Sequence, residues 1–227
     1  MERDPRKFDP ACRRCTRLAD FLEKVRKEHP DYHAAPVAPF GDPDPDLLVV
    51  GLAPGMHGAN ATGRPFTGDF AGILLYQTLY DFGYSNQAHV SSRHDGLSLN
   101  RCRITNAVKC LPPENKPSAA EINTCNGYLA AELASLREGT SILALGVIAH
   151  NSVLRALQLR AKDFRFAHGA EHPLPGRRML YDSYHCSRYN TQTRRLTATM
   201  FNDVFARIGE RLGSTGKKRT GRRQHGG

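Results

Sequence analysis

The residues best placed to do chemistry fall in a few short stretches. From Leu47 to Asp69 the sequence LLVVGLAPGMHGANATGRPFTGD starts as an apolar run and then breaks into Gly and Pro. Within thirteen residues it delivers His57, Asn60, Arg64, Phe66, Thr67 and Asp69. A buried strand that ends in a loop dense in Gly and polar groups is how an open α/β sheet presents a ligand site at its carboxyl edge. Two more strand-like runs end in polar residues: RCRITNAV carries Asn106, and RMLYDSY leads into His185.

The cysteines form a second constellation. Of six, Cys12 and Cys15 stand at a helix start. Cys110 follows a strand-like run, and Cys125 lies fourteen intervening residues further on. Four thiolates from two distant segments suit a tetrahedral zinc or a four-iron cluster, and spacing alone does not separate the two. The start MERDPRKFDP lacks an apolar export segment, which favours ligation over disulfides. Cys102 reads as strand packing and Cys186 as a loop residue beside the site.

These groups must be held by an alternating frame. Residues 46–53, 101–108, 141–146 and 178–184 read as strands. Helices are expected after Cys15, over 71–82 closed by Gly83, from the Ser118–Glu121 capping box to about Leu136, over 147–159, and over 195–212. Residues 30–45 hold five prolines and read as linker, and residues 162–177 as a basic loop or short hairpin. Alternation of strand and helix predicts an α/β fold, a three-layer α/β/α sandwich around a central four-stranded, mostly parallel sheet.

At 227 residues the chain supports one sizeable domain, expected over 12–212, with a flexible arm over 1–11 and a basic disordered tail over 213–227. No apolar run approaches a membrane span, so a cytoplasmic, nucleoid-associated protein is expected. Lys and Arg total 32 against 22 acids, which points to a polyanionic partner, nucleic acid first. Part of that excess sits in the tail GKKRTGRRQHGG.

Three segments resemble a known family. Gly51–Asn60 with Thr62–Asp69 resembles motif one of the type B, or family 5, uracil-DNA glycosylases. Thr105–Cys110 with its Pro-rich loop resembles their uracil-reading strand and third cluster cysteine. His185-Cys-Ser187, followed by Asn190 and Leu196-Thr197, resembles their second motif. The resemblance covers most of residues 12–205 and implies that Cys12, Cys15, Cys110 and Cys125 hold a structural [4Fe-4S] cluster, with zinc the alternative. It also exposes an absence. Relatives in family 4 carry Glu where this chain has Leu52, and those in family 1 carry Asp where it has Ala53.

The resemblance implies roles. Cleaving an N-glycosidic bond needs a donor at the leaving uracil O2, and His185 is the candidate. Asn106 would read the N3–H and O4 edge, and Phe66 would stack on the flipped base. Gly51 and Leu52 would join Phe66 and Asn106 in binding the base, and Asn60 and the backbone at Ala53 would hold water. Asp69 reads more readily as a helix N-cap. Ser187, Arg188 and Tyr189 would contact the duplex, and Arg13, Arg14, Lys109 and Lys116 would form a phosphate ridge. The expected activity is removal of uracil, and other deaminated bases, from DNA by a monomer. A base-sensing nucleic-acid-binding module without catalysis and an enzyme acting on free nucleosides are the rivals.

Overall fold

The computed structural model describes residues 8–213. The arm and tail expected from the sequence lie outside the described residues, apart from residues 8–11 and Gly213. Each apolar run becomes a strand. β2 (Leu47–Gly51), β3 (Cys102–Asn106), β4 (Ser141–Leu145) and β6 (Arg178–Ser183) are parallel neighbours. Two short antiparallel strands extend this group at its edges: β1 (Phe40–Gly41) beside β3 and β5 (Glu171–Leu174) beside β6. The sheet is therefore six-stranded, in the order β1-β3-β2-β4-β6-β5, and not four-stranded. β1 is too short for any periodicity to reveal it. β5 contains Pro173, which cannot donate to a ladder and is tolerated at an edge.

Side chains alternate across the sheet. Leu47 and Val49 pack with Leu75 and Leu79 of α3 (Phe70–Asp81) and with Phe201 and Phe205 of α7 (Ala198–Arg211). Leu48 and Val50 face the other way, onto Leu129 and Leu133 of α4 (Ala119–Ser135) and Val153 of α5 (Val147–Ala156). A third cluster joins Leu18, Leu22 and Val25 of α1 (Thr16–Glu28) to Val108, Leu111 and Tyr128. Two short helices, α2 (Ala59–Thr62) and α6 (Arg188–Gln192), lie in the loops after β2 and β6.

The capping box forms as read: the Glu121 N–H donates to Ser118 Oγ at 3.3 Å, and the Ser118 N–H donates to Glu121 Oε2 at 2.7 Å. α7 begins three residues later than expected because Thr197 caps it, its Oγ1 accepting from the Met200 N–H at 3.2 Å. No helix among the described residues is long and apolar enough to cross a membrane.

The topology sets the site. From β2 the chain moves to β3 on one side and later to β4 on the other. The carboxyl end of β2 is thus a switch point, where neighbouring loops diverge and leave a crevice.

Candidate active site

A cavity of about 410 Å³ opens at that switch point, with Ala53, Phe66, Asp69, Asn106, Asn115 and His185 among its lining residues. Loops after β2, β3 and β6 converge there. Leu52, Ser187 and Arg188 also line it.

The pair Gly51 and Asn106 shows how local geometry builds the wall. The two are partners in the β2–β3 register. A Cβ on Gly51 would fall 2.4 Å from Asn106 Oδ1 and 2.7 Å from Phe66 Cζ, so only glycine lets both side chains approach. Phe66 itself sits at φ 56°, in the left-handed region that a side chain enters at a cost. It is held there by close packing, since a Cβ on Gly72 would come 1.8 Å from the Phe66 carbonyl oxygen. Asn106 is 3% exposed, and its Oδ1 is buried with no hydrogen-bond partner. A buried acceptor left unsatisfied is costly, and here it belongs to a residue that lines a cavity.

His185 follows β6. Its ring lies 6.0 Å from that of Phe66, centroid to centroid, at 28°. Burial lowers its pKa to about 4, even though the residue as a whole is only half-buried; the ring is therefore neutral at neutral pH. Asn190 Nδ2 donates to the His185 carbonyl at 2.8 Å, which fixes the turn. Ser187 caps α6 by accepting from the Asn190 N–H. The Arg188 guanidinium lies 5.1 Å from the Phe70 ring centroid, and Tyr189 projects with 70% exposure.

Several expected placements change. Asn60 is fully buried and is not among the cavity-lining residues. Its Nδ2 donates to the Met56 carbonyl at 3.5 Å, and its Oδ1 has no partner. Asp69 occupies the N-cap position of α3, but its side chain does not cap the helix. Asp69 Oδ2 accepts instead from the Ala59 N–H at 3.1 Å, and the carboxylate packs where Cβ atoms on Gly55 or Gly58 would collide with it. Burial raises its pKa, while the Ala59 N–H and His57 pull it back. The loop after β2 thus does bring a carboxylate to the cavity. Asn115, at φ 56° in the Pro-rich loop, is a second addition. Asp69 stood among the polar residues of the loop but read as a cap, and nothing in the spacing of Asn115 announced its role.

Arg64 and Thr67 are framework. Arg64 is 3% exposed and grips Asp95 with two bonds of 2.9 and 2.8 Å, while its Nε donates to Thr67 Oγ1 at 2.7 Å. This pins the irregular segment 83–98, and the guanidinium holds Asp95 far below the usual carboxylate range. His57 Nδ1 lies 2.8 Å from the Tyr32 hydroxyl and is not among the cavity-lining residues. Lys109 is not part of a phosphate ridge: it is 2% exposed, bonded to Thr105 and 3.6 Å from Glu132. Cys186 lies in the loop after β6 beside His185, as read, and its side chain is fully buried in the core with Phe66 and Phe201. Cys102 is buried strand packing, as read.

Cys12, Cys15, Cys110 and Cys125 line one small cavity between α1, the loop after β3 and α4. The Cys110 thiol is pushed up to about 12, first by burial and then by Cys125, Cys12 and Cys15. The Lys109 N–H donates to Cys125 Sγ at 3.3 Å. An enclosed four-sulfur donor set with a backbone donor aimed at one sulfur fits a bound cationic centre.

Comparison with known proteins agrees with this geometry. The family model described as the uracil DNA glycosylase superfamily matches residues 38–209. A type-5 uracil-DNA glycosylase of Thermus thermophilus is 47% identical over 200 residues, covering 86% of this chain and 91% of the relative. A type-5 enzyme of Pyrobaculum aerophilum is 40% identical over 86% of this chain and 87% of its own length. A type-4 uracil-DNA glycosylase from the same archaeon is 35% identical over only 51% of this chain. The chain belongs to the uracil DNA glycosylase superfamily, on the side of its type-5 members.

Proposed function

We propose that this chain is a DNA repair glycosylase that hydrolyses the N-glycosidic bond of uracil in DNA and leaves an abasic site. The observation that carries this reading is Asn106 Oδ1, a buried acceptor without a partner on a residue lining the cavity. An extruded uracil offers N3–H to Oδ1 and O4 to the Asn106 amide, while a cytosine presents the wrong pattern. Phe66 supplies the stacking face.

In the reaction, the bond between C1′ and uracil N1 breaks and its electron pair leaves with the base. Water adds its oxygen to C1′, and the proton it loses goes to the departing uracil anion. His185, neutral, donates an N–H to the developing charge on uracil O2. Asp69, Asn115 and the backbone at Ala53 are the groups suited to hold the water, with Asn60 supporting the loop from behind. Ser187, Arg188 and Tyr189 suit contact with the DNA strand around the extruded nucleotide. With so few groups reading the base, other deaminated bases are expected substrates as well. Every group named comes from one chain, which suits action as a monomer near the nucleoid.

Cys12, Cys15, Cys110 and Cys125 would hold a [4Fe-4S] cluster, which when bound ties α1 to the β3–α4 loop and takes no part in bond cleavage. The test is incubation with a uracil-containing duplex followed by alkali: a break at uracil is expected, and an intact strand at low salt would refute the assignment.

A further inference from the structure

Away from the cavity described above, a polar trio of His150, His172 and Asp182 lies on the α5 side of β6, with His172 half-buried and the other two buried. His150 on α5 is 1% exposed and Asp182 on β6 is 0% exposed. His150 Nε2 is 2.9 Å from the Phe164 carbonyl oxygen, and its Nδ1 is 2.8 Å from Asp182 Oδ1. The other Asp182 oxygen is 3.1 Å from His172 Nε2.

A carbonyl oxygen has no hydrogen, so His150 Nε2 must be the donor there. A bare Nδ1 would then face the carboxylate lone pair to lone pair. One hydrogen has to lie between them, and the contact of His172 Nε2 on the other carboxylate oxygen favours an ionised Asp182, which places that hydrogen on Nδ1. A proton on Nδ1 makes the buried pair neutral. A divalent metal shared by Asp182 and two neutral imidazoles would leave a net positive charge in the interior, which is costly. The arrangement therefore favours the proton.

This pair sits where it can set the position of His185. The segment 164–170 is laced to the end of β6: the Gly169 N–H donates to the Asp182 carbonyl at 2.8 Å, the Asp182 N–H donates to the Ala170 carbonyl at 3.0 Å, and the Tyr184 N–H donates to His168 Nδ1 at 3.3 Å. The first turn of α5 is bonded to the same strand, the Gly146 N–H donating to the Ser183 carbonyl at 2.8 Å. A Cβ on Gly146 would touch His185 Cβ at 3.6 Å. His150 thus joins helix, flanking segment and strand three residues before His185.

We propose that His150, carrying a hydrogen on each ring nitrogen between Asp182 and the Phe164 carbonyl, is a positioning residue that fixes the strand end from which His185 enters the cavity. Its kinetic consequence rests on the glycosylase reading above; its protonation does not. Two experiments test it on the full chain. In ¹⁵N-histidine spectra at neutral pH, the wild type should show both His150 ring nitrogens protonated. A bare Nδ1, or stoichiometric metal retained at the trio, would overturn the proposal.

In single-turnover excision from a uracil duplex, His150→Ala should lower the rate about 10- to 100-fold, the scale of a misplaced catalytic group, with KM little changed. Added imidazole, whose cation donates twice, should restore part of the rate, and N-methylimidazole, whose cation donates once, should not. Asp182→Asn, which keeps the volume, should show the same loss if His150→Ala fails to fold. A folded variant with the wild-type rate, or with its loss confined to KM, would overturn the proposal. A wild type that releases no uracil refutes the glycosylase reading and leaves the spectral test standing.

Discussion

The rings of Phe66 and His185 lie 6.0 Å apart and within 28° of parallel, although they arrive from loops on two different strands. Phe66 comes from the loop after β2 and His185 from the end of β6. One offers an apolar face and the other a neutral N–H, the two features needed to hold a flat base and to stabilise charge on it. Replacing His185 with Ala removes the donor and should lower single-turnover uracil release by ~10²–10³-fold with little change in DNA affinity. Parallel excision and DNA-binding assays check this, and a rate within error of wild type would remove His185 from the mechanism.

The pH dependence follows from the same ring. Burial lowers the His185 pKa to about 4, against an ordinary value of ~6.5. The donor therefore stays neutral as pH falls through 6.5, and the acid limb of the excision rate that belongs to His185 should lie near its lowered value. For stability the sign is that of a depressed histidine: the unfolded chain takes up the proton first. The contribution of the neutral buried ring is complete above the unfolded pKa and is lost as pH falls toward 4. A single-turnover pH–rate profile breaking at 6.5 in the wild type would contradict this.

Gly51→Ala tests the wall of the cavity. The new Cβ would press on Asn106 Oδ1 and Phe66 Cζ together, so base reading and stacking should fail jointly. Excision should fall by ~10²-fold or more, on the scale expected when reacting groups shift by about 1 Å. Comparing rate with thermal midpoint distinguishes this from unfolding, because a purely structural effect would lower the midpoint and leave the rate of the folded fraction intact.

Much of the frame was legible because it rests on local signals. The apolar runs LLVV and SILAL became buried strands, and Ser118 with Glu121 formed its capping box. The edge strand β1 was missed because two residues carry no period, whereas β5 pairs with β6 as the short hairpin that the reading of 162–177 allowed. The site was legible where a strand end fixes the residue, as at Asn106 and just after β6 at His185. It was not legible where a side chain chooses between local and long-range partners. Asp69 leaves its helix to meet Ala59 and the cavity. Lys109 turns inward to Thr105 and Glu132. Cys186 packs into the core. Each choice is set by contacts distant in sequence, which spacing does not encode.

The cysteine set gives a prediction independent of catalysis. Purified protein should be brown and contain about four irons per chain, and replacing Cys125 with Ala should remove the iron. Stability should fall, since Cys110 and Cys125 also pack with Leu18 and Leu22 of α1, while residual folded enzyme should keep its preference for uracil. Elemental analysis beside calorimetry checks this; full stability without iron would show that the sulfurs hold no staple.

If the vacant Asn106 acceptor reads uracil N3–H, blocking that donor must slow excision. The single-turnover rate for uracil against N3-methyluracil in the same duplex, for wild type and Asn106→Ala, measures this. Methylation should slow the wild type by ~10²-fold or more, since a buried acceptor loses its donor, and Asn106→Ala should be slow on both substrates with little discrimination. Equal rates on the two substrates in the wild type would contradict that role for Asn106.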